Sequence, residues 1–170
     1  MTLQIAGGLL IIAATTLIGW DFSARGARRV RDLTELKKSL ILLKSQIDYS
    51  IYTLPQAFSH ISPRVAAPFD EFYAKLAKDV EGGADAASAW VSAVHSLKNS
   101  NLDKTDLENF AILGMSLGAM DSGVQINSID MVITNIDDSL KRLLAENPKN
   151  SRMYRGLGIV AGLLITIVLI

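Results

Sequence analysis

The chain has 170 residues, 49% hydrophobic and 6% aromatic, with 17 basic and 17 acidic side chains that cancel to a net charge of zero. It has no cysteine, which excludes disulfides, thiolate metal sites and cysteine nucleophiles. Four prolines and few aromatics favour helices over a β-sandwich, and the length suits one domain of about 130 residues between two set-apart ends.

Leu3 to Trp20 carry no charge. At about 1.5 Å per residue this run reaches about 27 Å, enough with interfacial residues to cross a hydrocarbon core, so a transmembrane helix is expected over 3–22. The alternative is a cleaved signal peptide, but Met1 to Gln4 hold no Lys or Arg and the basic residues follow the apolar run. They are Arg25, Arg28, Arg29 and Arg31.

A heptad stripe comes next: Leu33, Leu36, Leu40, Leu43, Ile47, Ile51 and Leu54. Thr53 is the expected cap of a helix with Pro55 in its first turn. Pro63 and Pro68 punctuate the following connection. Phe69, Phe72, Leu76 and Val80 form one apolar face, closed by Gly82-Gly83, and Ala86, Trp90, Val94 and Leu97 form another. After a polar turn at Asn99 to Asn101, Thr105 and Glu108 fit a capping box. It opens a helix with Leu107, Phe110, Leu113, Leu117 and Met120 on its face, where Gly114 and Gly118 would admit a close neighbour. Asp121-Ser122-Gly123 turns the chain into a second heptad stripe of Ile126, Ile129, Ile133, Ile136, Leu140 and Leu143, and Pro148 is expected to break that helix. The two stripes predict an antiparallel helix pair, with an intermolecular coiled coil as the alternative.

Lys149, Arg152 and Arg155 precede a last uncharged run, Gly156 to Ile170. Counted from Met153 it gives a second transmembrane helix over 153–170, with Arg155 snorkelling. Its shortness also fits a buried core helix. Gly158 and Gly162 match the small-xxx-small packing pattern. Every flanking base lies on the inner side of the two runs, so the positive-inside rule places the domain 25–150 in the cytoplasm. The bases there face anionic headgroups of membrane lipid. The expected fold is therefore all-α, an antiparallel helical bundle flanked by an N-terminal and a C-terminal transmembrane helix.

Chemistry is hard to find. His60 and His95 fall in separate helices without metal-ligand spacing, and Gly7-Gly8 and Gly82-Gly83 make no phosphate loop. Asp137 and Asp138 are adjacent and cannot share a helix face. The bases cluster at the membrane rather than on the domain, which argues against nucleic acid. No enzyme, cofactor, metal site or small-molecule substrate is expected. From Asp48 to Asp138 there are thirteen acids against five bases. Asp70, Glu71, Asp79, Glu81, Asp85, Asp103, Asp106 and Glu108 make a candidate partner surface, or else a solvated face.

Several short segments, in order, carry a resemblance: Ala13-Ala14-Thr15-Thr16 with Gly19, Ile47-Asp48-Tyr49, Leu54-Pro55 with Ala57-Phe58, and Ala89-Trp90. Leu117-Gly118 with Asp121 and Gln125 follows, then Tyr154, Gly158 and Gly162-Leu163-Leu164. Over nearly its whole length the chain resembles the stage III sporulation protein AB family of endospore-forming bacteria. More distantly it is similar to the cytoplasmic domains of type II secretion and type IV pilus platform proteins. The resemblance implies a two-pass subunit of the secretion-like channel between mother cell and forespore, in the mother-cell (outer forespore) membrane. Its partners would be other channel subunits and a cytoplasmic ATPase. The alternative function is a membrane-anchored scaffold or signalling protein that dimerises through the heptad helices.

Overall fold

Pro55 favours the first turn of a helix, where its missing N–H leaves no bond unmade, so a new helix starts around it. In the computed structural model α1 runs Thr2–Asp48 and α2 runs Leu54–Ile61, with Thr53 as its cap and Pro55 in its first turn. The Thr53 N–H donates to Gln56 Oε1 at 3.1 Å. The structure describes the backbone of residues 2–49, 52–117 and 121–169, and the side chains of 24–49, 52–98, 100–117 and 121–145. After a 3-10 turn at Ser62–Arg64 come α3 (Phe69–Glu81) and α4 (Ala86–Ser96), and after a second at Leu97–Asn99 come α5 (Lys104–Leu117) and α6 (Ser122–Leu169). Among the described residues there is no strand.

The chain divides into two compact units, Arg31–Leu140 and one made of Met1–Val30 with Lys141–Ile170. No helix among the described residues is long and apolar enough to cross a membrane. The two segments expected to do so, 3–22 and 153–170, have side chains outside the described residues.

Within Arg31–Leu140 the stripe of α1 faces inward. Leu33, Leu36, Leu40, Leu43 and Ile47 are all buried in the bundle of their own chain, leaving none of these five for a second chain. Ile51 lies outside the described residues, and Leu54 belongs to α2. On α6 the buried row is Ile129, Val132 and Ile136, whereas Ile126, Ile133, Leu140 and Leu143 are half-buried. A helix turns every 3.6 residues rather than 3.5, so the inward line drifts off the heptad and picks up Val132 in place of Ile133. Two ion pairs fix the register of α1 against α6: Lys37 Nζ to Asp137 Oδ1 and Lys44 Nζ to Asp130 Oδ2, each 2.6 Å. Seven residues forward on α1 meet seven residues back on α6, so the helices are antiparallel with in-step flanking charges.

Three other expectations are corrected. The cap of α5 is Asp103, not Thr105: Asp103 Oδ1 accepts from Asp106 N at 2.8 Å and Asp106 Oδ2 accepts from Asp103 N at 3.2 Å. Two aspartates close the same reciprocal box that Thr and Glu would. Val80 ends half-buried, and α3 instead buries Tyr73 and Ala77 beside Phe69, Phe72 and Leu76. Finally, α6 continues through Pro148. One missing hydrogen bond weakens a long helix without ending it when good helix formers precede it, as Leu143, Leu144 and Ala145 do here. Gly83, at φ 93°, is the left-handed residue that lets the chain leave α3.

The core is aromatic. Trp90 on α4 has its ring centroid 4.8 Å from Phe110, 5.1 Å from Phe72 and 6.0 Å from Phe58, mostly tilted or edge-on as ring quadrupoles favour. Its indole N–H donates to the Phe110 carbonyl at 2.7 Å. This grip on α5 leaves no room at Gly114, where an added Cβ would lie 2.5 Å from Trp90 Cδ1 and 2.9 Å from its Cβ. Overpacking of this kind costs about 1–3 kcal/mol. Gly114→Ala is therefore expected to destabilise the bundle by that amount in urea unfolding despite alanine's better helix propensity, and an unchanged or higher midpoint would contradict the packing.

Candidate functional site

The buried polar groups hold elements together. Tyr73 Oη donates to Ser39 Oγ at 3.1 Å, and Ser39 Oγ donates onward to the Leu36 carbonyl at 2.8 Å. Burial pushes the Tyr73 phenol well above its usual range, against a smaller opposing pull from Ser39, so it remains a donor. Asp32, 2% exposed, accepts from both the backbone N–H and the side-chain amide of Asn101, at 3.0 and 2.8 Å. It pins the α4–α5 connection to α1. Ser39, Tyr73, Asp32 and Asn101 carry no motif, and only their contacts disclose them.

The acidic residues expected to form a partner surface divide by role. Asp85 is the cap of α4: its Oδ2 accepts from Ser88 N at 3.0 Å and Ser88 Oγ at 2.9 Å. Those bonds hold its carboxyl below the usual range. Asp103 and Asp106 close the box on α5, and Asp106, 8% exposed, is not a surface residue at all. Asp70 and Glu71 occupy the first turn of α3, where the helix dipole favours negative charge. Glu108 sits 3.5 Å from Lys104, one turn away on an exposed face. Asp79 and Glu81 differ. They lie in the last turn of α3, the end at which the dipole opposes them.

Of the bases, Arg25, Arg28 and Arg31 are exposed and Arg29 is half-buried; Arg31 reaches Asp32 Oδ1 at 3.3 Å. The side chains of Lys149, Arg152 and Arg155 lie outside the described residues, as does Gly118; Gly158 and Gly162 fall within α6, with only their backbone described. His60 stacks on Tyr52 with centroids 4.3 Å apart, and among the described residues no group of three metal-ligating side chains is found. A second surface is not evident from the sequence: Ile112 and Met115 on α5, beside Val91 on α4 and Met131 on α6, are exposed. The signal that could have found it is that α5 carries apolar residues beyond its inward stripe.

A sequence model of the family described as stage III sporulation protein AB matches residues 4–170. The stage III sporulation protein AB of Bacillus subtilis strain 168 is 27% identical over 169 residues, spanning 98% of this chain and 99% of that protein. A solved stage III sporulation protein AB structure superposes with a TM-score of 0.67 at 22% identity, covering 71% of this chain and 97% of the other, which shows a shared fold. An all-α bundle held by an aromatic core, matched from near its first residue to its last, belongs to the stage III sporulation protein AB family.

Proposed function

We propose that the chain is a non-enzymatic platform subunit of the channel complex between mother cell and forespore in sporulation. Segments 3–22 and 153–170 sit in the mother-cell-derived membrane, and the domain 25–150 hangs in the cytoplasm, where it docks a cytoplasmic ATPase and other channel subunits. The observation that carries this reading is the extent of the family match: residues 4–170 take in the bundle and both charge-free ends together. The basic collars at Arg25, Arg28, Arg29, Arg31 and Lys149, Arg152, Arg155 supply the orientation, and Gly158 and Gly162 a packing face between spans.

The docking surface centres on Asp79 and Glu81. Acids at a helix C-terminus work against the helix, so their presence is better accounted for by a basic partner than by stability, whereas Asp85, Asp103 and Asp106 are engaged in helix caps. Asp79→Lys with Glu81→Lys is expected to leave the fold intact and to cut co-purification of the ATPase at least tenfold; unchanged recovery refutes the docking. Topology is tested separately. In intact protoplasts, external protease should spare the domain 25–150 until the membrane is opened, and digestion beforehand would reverse the orientation.

A further inference from the structure

α4 and α5 pack side by side, and a hollow of about 230 Å³ opens between them on the outer face. Its apolar part is made by Val91 and Val94 of α4 with Leu107 and Ala111 of α5. Its other end is charged, with Lys98 just beyond α4 and Lys104 and Glu108 on α5. The domain is otherwise poor in bases. Between Asp48 and Asp138 it has five against thirteen acids, and two of the five stand at this hollow. Among the described residues Lys98 makes no ion pair. Lys104 meets Glu108 at 3.5 Å, one turn along the same helix, with the two side chains 91% and 60% exposed. An exposed pair of that kind is weak, so a carboxylate arriving from outside can take Lys104 from it at little cost.

The hollow thus suits a ligand that brings apolar side chains to one end and an anion to the other. The groove between two packed helices accepts the side-chain ridge of a third, and helices recognised in this way present apolar anchors three or four residues apart. Lys104 to Ala111 covers about 10 Å of α5 at the helical rise, two turns. Anchors one turn apart therefore fit the apolar part while an acid one turn further on reaches the lysines. Ile112 and Met115, 58% and 70% exposed, prolong the apolar side by another turn. The same face of a second copy does not meet both demands. Paired about a two-fold axis, it would set lysine against lysine, or a lysine against apolar side chains with no counter-charge.

We propose that the hollow between α4 and α5 seats an acidic amphipathic helix of another protein. Its apolar anchors lie over Val91, Leu107 and Ala111, and its carboxylates meet Lys98 and Lys104. This partner is opposite in charge to the one assigned to Asp79 and Glu81, so either contact can fail while the other stands. The probe is a labelled helical peptide with leucine on three successive turns followed by two glutamates, and its twin carries lysines in their place. Binding is read by fluorescence anisotropy on the full chain in phosphatidylcholine nanodiscs, with the signal of empty discs subtracted. The glutamate peptide should bind at least tenfold tighter than its twin. Lys98→Glu with Lys104→Glu, both at exposed positions, should invert that preference. Lys75→Glu with Lys78→Glu, the same charge change at exposed positions on α3, should leave the glutamate peptide ahead. Val91→Asp, at a position 37% exposed, should weaken the glutamate peptide at least tenfold. The proposal is overturned if neither peptide binds, if both bind equally, or if Val91→Asp changes nothing. It is equally overturned if the preference survives the reversal at Lys98 and Lys104, or is lost with the reversal on α3. Less peptide bound per chain in discs holding two copies than in discs holding one would mean that a second copy covers the hollow, and would overturn it too.

Discussion

Replacing Trp90 with alanine is expected to cost the bundle about 3–5 kcal/mol, a large share of the roughly 5–15 kcal/mol that stabilises an ordinary domain. The side chain is fully buried and touches Phe58, Phe72, Tyr73 and Phe110, which come from three different helices. Truncation therefore opens one cavity lined by all of them, and α4 and α5 lose the bond between the indole and the Phe110 carbonyl. Trp90→Phe keeps most of the apolar contact but not the donor, and should fall in between, at about 1–3 kcal/mol for the unpaired group and the residual void. The two variants separate packing from hydrogen bonding. Hydrogen exchange is the suitable readout, because α3, α4 and α5 should lose protection together. A loss confined to α4 would mean that the aromatic cluster is not the common core. Gly114→Ala in the Trp90→Ala background should then be nearly harmless, since the side chain it collides with is gone.

The sequence discloses the helices far better than their contacts. Leu33, Leu36, Leu40 and Leu43 point inward as their spacing says, because a leucine every three to four residues admits one buried face and no other. The α6 stripe is less legible, since a heptad count cannot tell Ile133 from Val132 when the inward line drifts across both. Capping is legible by position and not by residue. The expected cap of α5 falls within two residues of the real one, but the pattern favours Thr with Glu, whereas the chain uses two aspartates. For the acids, charge alone suggests one surface, and only the helix ends separate Asp85, Asp103 and Asp106, which cap helices, from Asp79 and Glu81, which do not. The neutral ridge on α5 is hidden for a different reason: an apolar residue at the surface looks the same in a sequence as one in the core.

Asp32 is the harder residue to have found, and its removal should have the second-largest effect. It sits next to Leu33 at the start of the inward stripe and is nearly as buried as the leucines, yet it is a carboxylate. Both Asn101 donors converge on its Oδ2, from a loop sixty-nine residues away along the chain. Hydrogen bonds to a charged acceptor are worth about 1.5–3 kcal/mol each. Asp32→Ala loses two of them and strands the Asn101 N–H but escapes the cost of burying a carboxylate, so the net loss should be about 2–4 kcal/mol. Asp32→Asn keeps the size and one acceptor oxygen but sets an amide against Arg31, and about half that loss is expected. The two routes by which the alanine variant could destabilise are separable. If the carboxylate acts as the pin between α1 and the α4–α5 connection, the Asn101 amide should exchange far faster while Trp90 and Phe110 stay protected. Asn101→Ala should then add little to Asp32→Ala, a coupling of more than about 1 kcal/mol in the double-mutant cycle. Additive losses would mean that Asp32 stabilises α1 alone, and that the loop is held by Leu97 and Leu102, which are buried on either side of it.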